Sequence, residues 1–221
     1  MNPSTSDAKQ LTAAPSSTAQ GRLAAAFLHM AEGYMDRKYG PRKRAVFATL
    51  PDEILEVGAG TGANMRYYRS GTRLIAVEPN PQMHPHLRKN AARHQIALDI
   101  RQRYGESMDL ADQSVPAVVG TLVLCSVADP RQVVDEVHRV LKPGGPYIFF
   151  EHVAALPGTG LRSLQDRIAR LWQWLFDGCH LNRNTHQILS EAGFSALDMD
   201  CFKLRSPLLP VTPHIFGTAV K

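Results

Sequence analysis

Along the chain, short apolar runs alternate with stretches in which apolar residues return every three or four positions, the pattern of strands separated by amphipathic helices. The runs Ile54 to Val57, Arg73 to Val77, Ala97 to Gln102, Ala117 to Cys125 and Tyr147 to Glu151 predict five strands. The most apolar of them are β-branched and nearly unbroken, as parallel strands covered on both faces are. Helical spacing predicts helices over Ala63 to Arg69, from Pro79 to about His94, and over Arg131 to Leu141. The last of these has Asp129 as its N-cap and Pro130 at its first position. Two further helices are expected, Gly160 to Phe176 and Asn182 to Ala192, the second stopped by Gly193. Ala196 to Lys203 and His214 to Val220 then close the sheet as an antiparallel pair.

Ahead of the first strand, Leu23, Phe27, Met30, Ala31 and Tyr34 recur at helical spacing, which predicts a helix from Gly21 to Tyr39. Pro41 starts a second one, Arg42 to Thr49. Residues 1–20 are rich in Ser, Thr, Ala and Gln without apolar periodicity and are expected to be a mobile polar tail. The expected organisation is therefore that tail, helices over 21–50 and one α/β domain over 51–221.

The first strand runs into Gly58-Ala-Gly60-Thr-Gly62-Ala-Asn64. Glycine lets the backbone turn tightly and approach a ligand, and the N–H groups that follow point at what is bound. Twenty residues beyond Gly58 the second strand ends in Glu78, where a doubly wound sheet places a carboxylate for ribose hydroxyls. No Gly-Lys-Ser/Thr follows, so a P-loop is excluded, whereas Gly58-x-Gly60-x-x-Ala63 also satisfies the looser dinucleotide fingerprint.

Composition narrows the class. With 221 residues, 44% hydrophobic and 20% charged, the chain is a globular domain of ordinary size. Cys125, Cys179 and Cys201 are widely spaced and odd in number, which argues against a disulfide framework and against a Cys-x-x-Cys metal knuckle; no metal is expected. Five basic residues within Arg37 to Arg44 contribute to a net charge of +5. That segment is read as a solvated helix end able to make weak contact with an anionic membrane surface. No aromatic residues are interleaved as a base-stacking platform would require, so a nucleic-acid partner is not expected.

The pattern Glu56-x-Gly58-x-Gly60-x-Gly62, with Glu78, resembles motif I of the class I S-adenosylmethionine-dependent methyltransferases. Lys142-Pro-Gly-Gly145 between a leucine and an apolar strand looks like the linker before their fifth strand and unlike a dehydrogenase. The resemblance implies a Rossmann-like seven-stranded sheet with helices on both faces and the last strand antiparallel. It also implies S-adenosylmethionine as cofactor, with Glu56 near the methionine amino group, Glu78 on the ribose and helices before the first strand capping the pocket. By the same resemblance Gly58, Gly60, Gly62, Asn64 and Leu124 are cofactor residues, and either Glu106 or Ser107 covers the adenine.

Several blocks are similar to the methyltransferase-like 7 proteins, the thiol S-methyltransferases: Glu56 to Asn64, Glu78 to Pro81, Thr121 to Val127, Glu151 to Val153, Asp177 to Cys179 with Leu181 to Arg183, and the ending Leu209 to Lys221. Those relatives carry an apolar N-terminal anchor, and this chain has a polar stretch there, so a soluble, cytoplasmic or membrane-peripheral protein is expected. The expected activity is methyl transfer by in-line displacement to a small, fairly apolar acceptor, with a thiol favoured and a lipid amine or quinone-like ring as alternative. A cofactor-binding partner without turnover is the alternative of another class. His152, Asp177 and His180 are the candidates for handling the acceptor's proton, and His214 lies on the last strand with a possible approach to the pocket. Cys125, at the end of the fourth strand, reads as a packed free thiol rather than a nucleophile. Oligomeric state is not legible.

Overall fold

A computed structural model describes residues 36–37, 39–176, 178–204 and 209–221. The expected tail, nearly all of the helix over 21–39 and Asp177 lie outside the described residues. The elements in order are helix α1 (residues 39–47), β1 (Glu53–Val57), β2 (Arg73–Val77), α2 (His84–His94), β3 (Ala97–Arg101), β4 (Val118–Thr121), α3 (Pro130–Val140), β5 (Pro146–His152), α4 (Gly160–Leu175), α5 (Thr185–Ser190), β6 (Ala196–Lys203) and β7 (Pro213–Val220). They form one seven-stranded sheet of order β3-β2-β1-β4-β5-β7-β6. β7 runs antiparallel to both β5 and β6, and the other pairings are parallel.

Side-chain alternation sorts the core onto two faces. Leu55 and Val57 of β1, Val118 of β4 and Tyr147 and Phe149 of β5 pack with Val133, Val134 and Val137 of α3 and Leu189 of α5. Ile54, Val119 and Ile148 face the other way, onto Phe47 of α1, Met65, and Leu87 and Ala91 of α2. The central strands are buried on both sides, while the edge strands β3 and β6 show the alternating burial of strands with one wet face. α3 begins as its sequence predicts, with Asp129 Oδ1 accepting from the Arg131 and Gln132 N–H groups at 2.9 and 3.2 Å.

Four elements are shorter than their sequence suggests. α2 starts only at His84, because the Glu78 and Asn80 side chains take the N–H groups of Asn80 and Gln82 and hold residues 79–83 in a turn. The residues after the glycine turn form only a 3-10 turn, Ala63–Tyr67, because Tyr68 is already extended and its hydroxyl is drawn to Glu56 Oε2 at 2.9 Å. β4 stops at Thr121, since Leu122 takes a left-handed φ of 59° and the next three N–H groups turn to a side chain instead of a strand. α5 spans six residues and its N-cap, Asn184, makes no side-chain capping bond. On α4 the apolar face is only partly covered: Trp172 is buried, whereas Leu171, Trp174 and Leu175 are 59%, 62% and 48% exposed.

Candidate functional site: the glycine turn and the loop after β4

The C-terminal ends of β1, β2, β4 and β5 meet at one edge of the sheet, where ligands bind in open α/β folds. Gly58, Gly60 and Gly62 all have positive φ, 64°, 56° and 84°. At Gly58 the constraint is also steric, because a Cβ there would lie 2.6 Å from Val123 Cγ2. Gly60 donates its N–H to Glu78 Oε2 at 2.8 Å, and Glu78 Oε1 accepts from Asn80 N–H at 2.9 Å. The carboxylate that ends β2 is thus clamped against the turn that follows β1.

Beneath the turn lies a buried polar network. Glu56 accepts from Asn64 Nδ2 at 2.7 Å and from the Tyr68 hydroxyl at 2.9 Å. Asn64 also donates to Thr121 Oγ1 at 2.9 Å and accepts from Lys43 Nζ at 2.7 Å. Burial pushes the Glu56 carboxyl up to about 7, against the pull of its two donors and of Lys43. Burial likewise lowers Lys43 to about 8. Lys43 therefore points into the molecule. Of the other basic residues in its segment, Arg42 stacks over the Phe202 ring at 3.9 Å and Arg44 pairs with Asp36 at 3.7 Å.

The loop after β4 is held from four sides. Glu151, fully buried at the end of β5, accepts from the N–H groups of Val123, Leu124 and Cys125 at 2.8, 3.0 and 3.2 Å. Arg183 donates to the carbonyls of Leu124 and Val127 at 2.6 and 2.8 Å. His180 N–H donates to the Cys125 carbonyl at 2.7 Å. Glu106 Oε1 accepts from the N–H groups of Ala128 and Asp129 at 3.0 and 3.2 Å. These contacts assign roles that the sequence did not show. The Glu106 carboxylate supports this loop, Ser107 beside it is exposed, and the Leu124 side chain is turned into the core among Leu55, Val57 and Val133.

His152 ends β5 with its Nε2 3.0 Å from Cys179 Sγ, and its Nδ1 is buried without a hydrogen-bond partner. The His180 ring is held by Gln173 at 2.9 Å, and burial lowers its pKa. His214 lies opposite His152 in the β5–β7 register, with ring centroids 6.4 Å apart. Its two nitrogens are taken by the Tyr39 hydroxyl at 3.0 Å and the Thr212 carbonyl at 3.1 Å, and burial depresses it to about 4. Among the described histidines proposed from the sequence, His152 alone keeps a buried ring nitrogen without a hydrogen-bond partner. A separate surface hollow between α2 and β3, lined by Arg88, Ala91, Leu98 and Asp99, shares no residue with this edge.

A methyltransferase domain model matches residues 55–149, from the first strand into β5. Thiol S-methyltransferase TMT1B of Rattus norvegicus is 41% identical over 196 residues, covering 84% of this chain and 80% of that protein. Human thiol S-methyltransferase TMT1A is 40% identical over 191 residues, covering 81% and 78%. The chain belongs to the thiol S-methyltransferase family. Among solved structures, a Thermotoga maritima S-adenosylmethionine-dependent methyltransferase described as a possible histamine N-methyltransferase superposes with a TM-score of 0.64. It shares 20% identity and covers 90% of this chain and 99% of that one, which makes the fold that of a class I methyltransferase.

As a member of this family the chain is an enzyme that uses S-adenosylmethionine, and its turn fits that cofactor. The missing Cβ of Gly60 would meet nothing nearer than the Gly58 carbonyl at 4.0 Å, so there is room above the turn for a ligand. The Glu78 carboxylate stands beside this turn at the end of β2, where a doubly wound sheet places the acceptor for ribose hydroxyls. Of the residues expected from the sequence to meet the cofactor, Gly58, Gly60, Gly62 and Glu78 stand together at this edge, with Glu56 and Asn64 in the layer below.

Proposed function

We propose that the chain transfers a methyl group from S-adenosylmethionine to the sulfur of a small, fairly apolar thiol. What carries this reading is about 40% identity, spread over most of the chain, to proteins that bear that name. Bound at the glycine turn, the cofactor supplies a methyl group activated on a sulfonium. Glu78 holds the ribose, and the space at Gly60, where a Cβ would meet nothing nearer than 4.0 Å, accommodates the chain beside it. Displacement at a methyl carbon needs alignment and exclusion of water more than acid–base power. A thiol near its ordinary pKa of about 8.5 is already partly ionised at neutral pH. His152, whose buried Nδ1 has no hydrogen-bond partner, is the described residue proposed to meet the acceptor. A cytoplasmic site of action belongs to the same reading. Its support is that Cys125, Cys179 and Cys201 are all free thiols and that no described helix is long and apolar enough to cross a membrane.

Isothermal titration tests the cofactor site. Wild-type protein should bind S-adenosylmethionine and not NAD, and Glu78→Ala should weaken binding by roughly tenfold, about 1.4 kcal/mol. Methylation of ethanethiol, followed by mass spectrometry of the thioether, tests the acceptor. Binding of NAD alone would sink the reading.

Glu56 adds a pH dependence. Its carboxyl is protonated below about 7 and the cofactor is a cation, so only the ionised carboxylate attracts it. Affinity should rise as pH rises through that value, by roughly eightfold between pH 6 and 7.5 if the ionised form alone binds. Glu56→Gln should flatten the profile. A profile that stays the same in the variant would remove Glu56 from the cofactor's surroundings.

A further inference from the structure

Three chain segments that are remote in sequence bring soft ligand atoms to one point beside the cofactor turn. Cys125 comes from the loop after β4, His152 from the end of β5 and Cys179 from the segment that follows α4. One donor atom from each lies within 4.8 Å of the other two. A tetrahedral zinc with bonds of about 2.3 Å to sulfur and 2.0 Å to nitrogen sets its ligand atoms about 3.5 to 3.8 Å apart, so the cluster needs only small side-chain adjustments to close on a metal. Both sulfurs have donors suited to thiolates: Trp172 Nε1–H points at Cys179 Sγ at 3.3 Å, and the Ser126 hydroxyl lies 3.5 Å from Cys125 Sγ. His152 is 5% exposed, and its Nδ1 has no hydrogen-bond partner in the protein. Protein contacts alone therefore leave one nitrogen of this group, His152 Nδ1, unsatisfied.

Its position matters as much as its composition. The loop that carries Cys125 is fixed by Glu151 and Arg183, and its Val123 packs against Gly58, the first glycine of the cofactor turn. Cys179 is the partly exposed member of the cluster, and Cys125 and His152 are buried. Two thiolates and an imidazole form a set that favours zinc over magnesium or calcium. Three protein ligands with an open fourth position are the arrangement of a catalytic rather than a structural zinc.

We propose that Cys125, His152 and Cys179 form a zinc site whose fourth position binds the sulfur of the acceptor thiol. The proposal deepens the thiol S-methyltransferase reading and rests on it. Coordination converts the acceptor RSH to a zinc-bound thiolate and releases one proton to solvent. The thiolate sulfur then attacks the methyl carbon of the sulfonium. As the new sulfur–carbon bond forms, the old one breaks and its electron pair returns to the cofactor sulfur, leaving a neutral thioether on each side. RSH and the sulfonium thus give RSCH3, S-adenosylhomocysteine and one proton. The metal keeps its charge throughout and no oxidant is needed. The methylated product, a weaker ligand than the thiolate, then leaves.

The test uses the full chain, stripped of metal and kept reduced with a phosphine rather than a thiol. Cobalt(II) is the probe, since its sulfur-to-metal charge-transfer band counts bound thiolates. The wild type should take up about one Co2+ per chain with a band for two thiolates, and ethanethiol should raise that band by about half as a third sulfur binds. Cys125→Ser and Cys179→Ser should each remove about half of the band or weaken Co2+ binding at least tenfold, and His152→Ala should weaken it similarly. Cys201→Ser, at an exposed thiol outside the cluster, should change nothing. Titration with S-adenosylmethionine in every variant shows that the domain is folded and tests the parent reading separately. A chain that binds the cofactor but gives no thiolate band overturns the proposal. So does a two-thiolate band that ethanethiol leaves unchanged, because the metal would then be structural.

Discussion

Glu151→Ala should destabilise the protein by about 3 to 5 kcal/mol, an effect on the scale of breaking a buried ion pair. The carboxylate is fully buried and accepts three consecutive backbone N–H groups, those of Val123, Leu124 and Cys125. Alanine leaves three buried donors without acceptors, at about 1 to 3 kcal/mol each. Part of that loss is offset because a carboxyl group whose pKa burial has already raised no longer has to be desolvated. With a urea m-value of about 2 kcal/mol/M, the unfolding midpoint should fall by roughly 2 M. Glu151→Gln retains an acceptor for Val123 and Leu124 but turns an NH2 group toward the Cys125 N–H, so it should cost about 1 to 2 kcal/mol. Because the same loop presents Cys125 and packs on the cofactor turn, the glutamine variant should also bind S-adenosylmethionine more weakly. An alanine variant within about 0.5 kcal/mol of wild type, the range of an ordinary surface change, would mean that water satisfies those N–H groups and that Glu151 does not set the loop.

The fold was legible in the sequence wherever a local rule sufficed. The apolar runs of β1, β2 and β5, the Asp129–Pro130 start of α3 and the antiparallel closing pair all follow from periodicity, capping and burial. So did the glycine turn and Glu78, because their spacing is itself the constraint. What escaped was set by tertiary contact. β4 reads as a strand as far as Cys125, since its residues are apolar and β-branched, but a side chain from the neighbouring strand claims the N–H groups that the ladder would have used. Lys43 reads as part of a solvated basic segment, and it is half-buried instead, with its Nζ donating to Asn64 Oδ1. One signal was available: Lys43 and the core residue Phe47 are four apart, so they share a helix face. The cysteines were judged by their separation along the chain, which speaks against a local metal knuckle and says nothing about a site assembled from three segments. Cys125, His152 and Cys179 meet only because β4 and β5 are neighbours and the chain after α4 returns over their ends.

Gly58→Ala should cost about 3 kcal/mol, and a second substitution separates its two causes. The residue has φ of 64°, which for alanine costs about 1 to 2 kcal/mol. The added methyl would also stand 2.6 Å from Val123 Cγ2, inside any real contact distance, and overpacking of this kind costs about 1 to 3 kcal/mol. Val123→Ala removes the opposing methyls at a cost of its own of about 2 kcal/mol, as a cavity in a buried site. In the double variant the clash is gone and only the backbone strain and the cavity remain. The two losses should therefore sum to about 2 kcal/mol less than the separate values, a coupling typical of residues in direct contact. Strict additivity in urea unfolding would show that the loop after β4 does not press on the turn after β1. The same cycle followed by titration with S-adenosylmethionine carries the point to function. If the loop sets the turn's shape, relieving the clash should recover part of the cofactor affinity that Gly58→Ala removes. If the backbone conformation of residue 58 alone matters, the double variant should bind no better than the single one.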